Sequence, residues 1–167
     1  MSIQFTPEQM RLHKEFTKKL NSSPTKKYTK FHQYDKCWYV PIEAQEEIAN
    51  EVFGYWHFEV TDTVLSQAIT SKGEVSTVCA ITGILHYWHP ILERIMTVGG
   101  AGSASVAGKQ GITTLAPKAK TNALKNAFNT WKLLGGGLNR KAEDKFHGTM
   151  EGLGDRLISS LSEIEDA

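Results

Sequence analysis

A chain of 167 residues with 40% hydrophobic and 22% charged residues has the length and composition of one soluble globular domain with a real core. No run approaches the roughly eighteen apolar residues that suggest a membrane span, and residues 1–20 carry charge throughout, so neither a span nor a signal peptide is expected. Two isolated cysteines, Cys37 and Cys79, speak for a reducing compartment and against a cysteine-rich metal site.

The net charge of +1 conceals a strong asymmetry. Residues 94–142 hold eight Lys or Arg and no acid, and residues 11–36 hold eight more against Glu15 and Asp35 alone. Residues 142–167 hold seven acids against two bases, which leaves +6 on residues 1–141. A basic body with an acidic tail suits a polyanionic ligand.

In chain order, Thr6 is a candidate N-cap with Pro7 in the first turn, and a helix is expected through Leu20. Asn21 to Thr25 breaks it. Lys26 to Tyr39 then alternates cations with Tyr28, Phe31, Tyr34, Trp38 and Tyr39. That pattern fits single-stranded nucleic acid, where rings stack on bases and lysines meet phosphates. It equally fits a short edge strand with aromatic packing and a basic loop.

Ile42 to Phe53 reads as a helix with Ile42, Ala49, Val52 and Phe53 inward, ended by Gly54. Its Glu43, Glu46, Glu47 and Glu51 form a solvated face rather than a metal site. Trp56 to Leu65 alternates and is predicted as a strand, a turn follows at Ser71 to Gly73, and Val75–His86 and Ile91–Val98 form a hairpin bent at Tyr87 to Pro90. His86 and His89 flank that bend and are expected to face solvent.

Gly99 to Gly111 is read as a flexible link, with Lys109 available to a phosphate. It is no Walker loop, because Ser103 stands where a glycine is needed and Gln110 replaces the magnesium-holding hydroxyl residue. A dinucleotide fingerprint fails at Ser105. Ala116 to Leu134 is the predicted long helix, opened by Pro117 and stopped by Gly135, Gly136 and Gly137. Lys118, Asn122, Lys125, Asn129 and Lys132 fall within an arc of roughly 80° on it. Ala123, Leu124, Ala127, Phe128, Trp131 and Leu134 take the opposite side, with Lys120 intruding. Asn139–His147 is polar, and Met150–Ile164 has helical spacing of Leu153, Leu157, Ile158, Leu161 and Ile164.

The expected fold class is therefore α+β: an antiparallel three-stranded sheet with a long amphipathic helix on one face, in a β-β-β-α core, and flanking N- and C-terminal helices. Residues 1–25 are the N-terminal helix and linker, 26–140 the core domain, and 141–167 an acidic tail. The six histidines show no HExxH pattern, and no G-x-S-x-G elbow occurs, so no enzyme, metal or cofactor is expected.

KCWYVPIEAQEEIANEVFGY, from Lys36 to Tyr55, resembles the start of the core domain in the Rad fifty-two family of single-strand annealing proteins. Val-Cys-Ala in the Val75–Ala80 strand, Gly100 and Gly102 after it, and Thr121-Asn122-Ala123-Leu124-Lys125-Asn126-Ala127 are similar to that family's hairpin and helix. The likeness covers about Lys36 to Leu138. It implies a homo-oligomeric ring or arc that binds single-stranded DNA in an outer basic groove and anneals complementary strands, without ATP, in recombination and double-strand-break repair.

By position, Lys125 matches the family's DNA-contacting helix lysine, and Lys36 stands where the family has another groove lysine. The arginine that usually follows the first is Asn126 here, so Lys118, Lys132 or Lys30 must restore charge. Lys27 and Asn129 complete the expected DNA-binding set, and Lys109 lies near a position of the family's second DNA site. The long C-terminal region that recruits a recombinase and a single-strand binding protein in eukaryotic members is missing, although a single-strand binding protein stays among the implied partners. The short form resembles phage or prokaryotic annealers, which implies the cytoplasm of a bacterium or phage-infected cell. The alternatives are an architectural double-stranded-DNA binder and a small metal-dependent nucleic-acid enzyme.

Overall fold

The computed structural model describes residues 4–108 and 111–138, and over these the chain is α+β with a three-stranded antiparallel sheet. Among them no helix is long and apolar enough to cross a membrane. Lys109 and the expected tail helix at Met150–Ile164 lie outside the described residues. Two compact units are formed, one from residues 4–54, 89–94 and 129–138, the other from 55–88 and 95–128.

The first unit opens on helix α1, Pro7–Leu20. Thr6 starts it with a reciprocal capping box, its Oγ1 accepting the Gln9 N–H at 3.1 Å while Gln9 Oε1 accepts the Thr6 N–H at 2.9 Å. Strands β1, Lys30–His32, and β2, Cys37–Tyr39, then form a small antiparallel hairpin. Helix α2, Ile42–Phe53, matches its expected span and buries Gln45, Ile48, Ala49, Val52 and Phe53, the i, i+3, i+4, i+7, i+8 stripe of a one-sided helix. Phe53 packs on Trp131 at 5.1 Å between ring centroids, and Phe16 meets Phe53 at 6.5 Å.

Gln45 is the polar member of this core. Its Nε2 donates to the Leu134 carbonyl at 2.8 Å and to Asn129 Oδ1 at 3.1 Å. These bonds hold 129–134 as a turn and a short 3-10 segment, Lys132–Leu134, so the long helix does not reach the expected Leu134. Asn129 and Lys132 are therefore not on the same helix as Lys125. Local propensity favoured continuation, and a buried amide overrode it.

His89 is buried rather than facing solvent, edge-on to Phe16 at 4.8 Å and tilted against His13 at 5.2 Å. Its Nδ1 accepts the Leu92 N–H at 3.1 Å and the Ile91 N–H at 3.3 Å, which leaves the proton on Nε2. Burial, then the neighbouring His13 and Arg94, depress its pKa below the usual 6.5. The unfolded chain thus binds this proton more readily, and the stability contributed by neutral His89 is present above pH 6.5 and lost as pH falls through the lower folded value. Urea midpoints measured from pH 7.5 down to about 5 should fall with pH. His89→Asn, whose Oδ1 can accept the same two N–H groups, should flatten the profile.

The second unit is built on β3, Trp56–Ile69, β4, Val75–His89, and β5, Arg94–Ala107, in the order β3-β4-β5, with the His89 and Arg94 ends counted in the first unit. Pairing of β3 with β4 runs from Trp56↔Tyr87 to Ile69↔Val75, with a bulge at Thr61 between Val60 and Asp62. All three strands outrun their predicted ends, and β4 passes straight through the expected bend at Tyr87. Alternate β4 residues Thr77, Cys79, Ile81, Leu85 and Tyr87 are buried on one face. There Cys79, Ile81, Ala104, Leu115, Ala119 and Ala123 form one cluster with Phe58 and Val106 against it.

Helix α3, Ile112–Phe128, supplies the other half of that cluster. Pro117 lies inside it rather than in its first turn. The expected link at Gly99–Gly111 is instead strand up to Ala107. A Cβ on Gly100 would come within 2.5 Å of the Ala123 carbonyl oxygen and 2.8 Å of Ala127 Cβ, and one on Gly102 would overlap the Ala123 backbone nitrogen. The two glycines are where α3 meets the sheet backbone to backbone.

Candidate nucleic-acid interface

Helix α3 holds its polar side by its own amides. Asn122 Nδ2 donates to the Ser103 carbonyl at 2.8 Å, and Asn126 Nδ2 donates to the Ala101 carbonyl at 2.6 Å. Two asparagines one turn apart thus lock the helix to alternate carbonyls of β5. Asn126, expected in the DNA groove, spends one of its two N–H donors on the fold and keeps the other and Oδ1 for a ligand. Asn129 is likewise engaged, through Oδ1, by Gln45 in the first unit.

Anchored this way, α3 presents Lys118 and Lys120, both exposed, and Lys125, half-buried. None of the three forms an ion pair with a described residue, and no acid occurs anywhere from 94 to 138. Lys120 was assigned by periodicity to the apolar side, yet it is exposed.

The first unit carries the other expected cations. Lys30 on β1, Lys36 in the hairpin turn and Lys132 in the 3-10 segment are exposed and form no ion pair with a described residue. Lys27 differs. Its Nζ lies 3.8 Å from Glu47 and 3.4 Å from the Tyr28 hydroxyl, and these contacts, the Tyr28 one foremost, raise its pKa. Tyr28 in turn donates to Glu51 at 3.2 Å. The α2 acids are therefore counter-charges for the Lys27 turn, and Lys27 is the least available of the expected phosphate contacts.

On the second unit, His57 and His86 stack at 4.5 Å and 7°, with Tyr55 Oη 2.9 Å from His57 Nδ1 and Glu59 2.8 Å from His86 Nε2. Parallel rings do not converge on one ion, and among the described residues no group of three or more His, Cys, Asp or Glu could hold a metal. What the lysines offer is point-charge contact to phosphates, which reads no base and is independent of sequence.

No protein-family model matches the chain, and no curated protein matches it either.

Proposed function

We propose that this chain binds single-stranded DNA and anneals complementary strands as a homo-oligomer, without ATP, in recombination and double-strand-break repair. The observation that carries the reading is the acid-free α3, whose Lys118, Lys120 and Lys125 have no ion-pair partner among the described residues and sit on a helix pinned to the sheet. Phosphates take the place of the missing acids, and condensed counterions leave the DNA. Bases are not gripped, so they remain available to pair. The likeness of ANEVFGY and of the Lys125 segment to annealing proteins supports the same reading.

Assembly supports it too. Among the described residues strand β3 has one neighbour only and is exposed along most of its length, an edge that another copy can cover. Repeating a weak site along one strand raises avidity by a factor of about 10² to 10⁴. Action in the cytoplasm, beside a single-strand binding protein, belongs to the proposal.

Mixing complementary oligonucleotides with the protein, with and without magnesium and ATP, tests it. Faster pairing independent of both is expected. Preference for duplex would indicate an architectural binder, and a cleaved or altered strand would indicate an enzyme. In a salt titration, Lys125→Ala should weaken single-strand binding at every sequence and lower the slope of log K against log salt by about 0.7 per lost contact. Unchanged affinity and slope would remove Lys125 from the interface.

A further inference from the structure

Tyr34 stands at the tip of the β1–β2 hairpin with 95% of its surface exposed, against 43% for Phe31 on the same hairpin. A tyrosine ring left in water forgoes the stabilisation that burying it would bring, and turns are readily built from small polar residues instead. The loop that holds it is closed by a hydrogen bond and a left-handed residue. The Asp35 N–H donates to His32 Nδ1 at 3.2 Å, and Lys36 closes the turn in the left-handed region at φ 51°.

A spine of rings leads away from the tip. Tyr34 lies 6.2 Å from His32, and His32 lies 6.0 Å from Tyr39. Lys30 is the register partner of Tyr39, and Lys36 directly precedes β2. Phe31 and Trp38, paired across the opposite face, pack on each other at 5.5 Å. Phe31 and Trp38 thus share one face of the hairpin, and His32 and Tyr39 share the other, with an exposed lysine at each end of it. A ring as exposed as Tyr34 beside uncompensated lysines matches a base with its flanking phosphates.

We propose that Tyr34 is a stacking post for an unpaired nucleobase, with Lys30 and Lys36 taking the adjoining phosphates. This rests on the single-strand reading above and adds to it a contact that charge alone would not supply. A stacked base is held by its face, leaving its pairing edge open to the complementary strand.

The test uses the full chain, an oligo-dT probe and a mixed-sequence single strand, with binding followed by anisotropy across a salt series. Tyr34→Ala should weaken binding about 5- to 100-fold while leaving the salt slope and the oligomer mass unchanged. Tyr34→Phe should bind within about twofold of the native protein, since the ring face is kept. Native-like binding by Tyr34→Ala, or Tyr34→Phe as weak as Tyr34→Ala, overturns the stacking role alone. A fall in oligomer mass on Tyr34→Ala also overturns it and makes the tip a contact between copies. A native protein that binds neither probe overturns the single-strand reading and this inference together.

Discussion

Gly102→Ala should cost at least about 3 kcal/mol of folding stability, the upper end of what overpacking usually costs. The new methyl would overlap the backbone nitrogen of Ala123 and lie 2.6 Å from the Asn122 carbonyl carbon. Neither atom can swing aside as a side chain can, so α3 must lift from β5. Lifting it strains the Asn122–Ser103 and Asn126–Ala101 hydrogen bonds, each worth about 1 kcal/mol, and opens the cluster around Cys79 and Ala119. A domain stable by about 5–15 kcal/mol loses a large part of its margin. Gly99→Ala is the matched control, because a Cβ there meets nothing within 4 Å. Urea unfolding should place the control within about 0.5 kcal/mol of the native protein. Equal stability of the two variants would mean that α3 does not rest on the β5 backbone.

On the proposed assembly, Leu65→Lys combined with Ile69→Lys should give single chains that no longer anneal complementary strands. Leu65 is 67% and Ile69 77% exposed, and both lie on the α3 side of β3, where Leu65 faces Cys79 and Ile69 faces the half-exposed Val75. Strand β3 is 14 residues long, and its outer edge is unpaired in the described chain. At the other edge, by contrast, Asn122 and Asn126 already occupy two β5 carbonyls. The proposed assembly therefore uses β3, where two buried, unpaired ammonium groups would make coverage by a second copy unfavourable. Light scattering should give the mass of one chain with an unchanged circular-dichroism spectrum, since neither residue is in the core. Retained assembly would take β3 out of the interface.

Much of this architecture was legible in the residues. Thr6-Pro7 announced α1, the spacing within Ile42–Phe53 announced α2, and the β-branched alternation after Trp56 and Val75 announced the sheet. What escaped was set by contacts distant in sequence. Gly99 to Ala107 looked like a linker because glycine is rare in strands, and the reason for Gly100 and Gly102 is a helix that arrives some twenty residues later. Asn129 to Leu134 looked helical because nothing local reveals Gln45, some ninety residues earlier, claiming the Leu134 carbonyl. His89 reads locally as a turn residue in solvent, and only the arrival of His13 and Phe16 buries it.

The candidate site was legible as charge but not as geometry. Lys118 and Lys125 stood out through the absence of acids. Asn126 could not be separated from them, since a groove amide and a structural amide have the same spacing on a helix. Lys120 was placed inside by its angle alone, whereas exposure depends on how far the sheet extends beneath the first turns. Tyr34 read as one aromatic among five in Lys26–Tyr39, and only the hairpin distinguishes the ring at the tip from those packed behind it.

The extra residue at Thr61 has a reach well beyond its own position. Before it, even-numbered residues Trp56, Phe58 and Val60 share a side with the buried β4 row, and after it the odd-numbered Thr63, Leu65, Gln67 and Ile69 do. One additional peptide unit thus inverts the parity of everything downstream. Pairing Thr61 directly with Thr82 instead would turn the distal half of the ribbon over, setting Val64 and Ala68 where Leu65 and Ile69 now stand and erasing the greasy margin on that side.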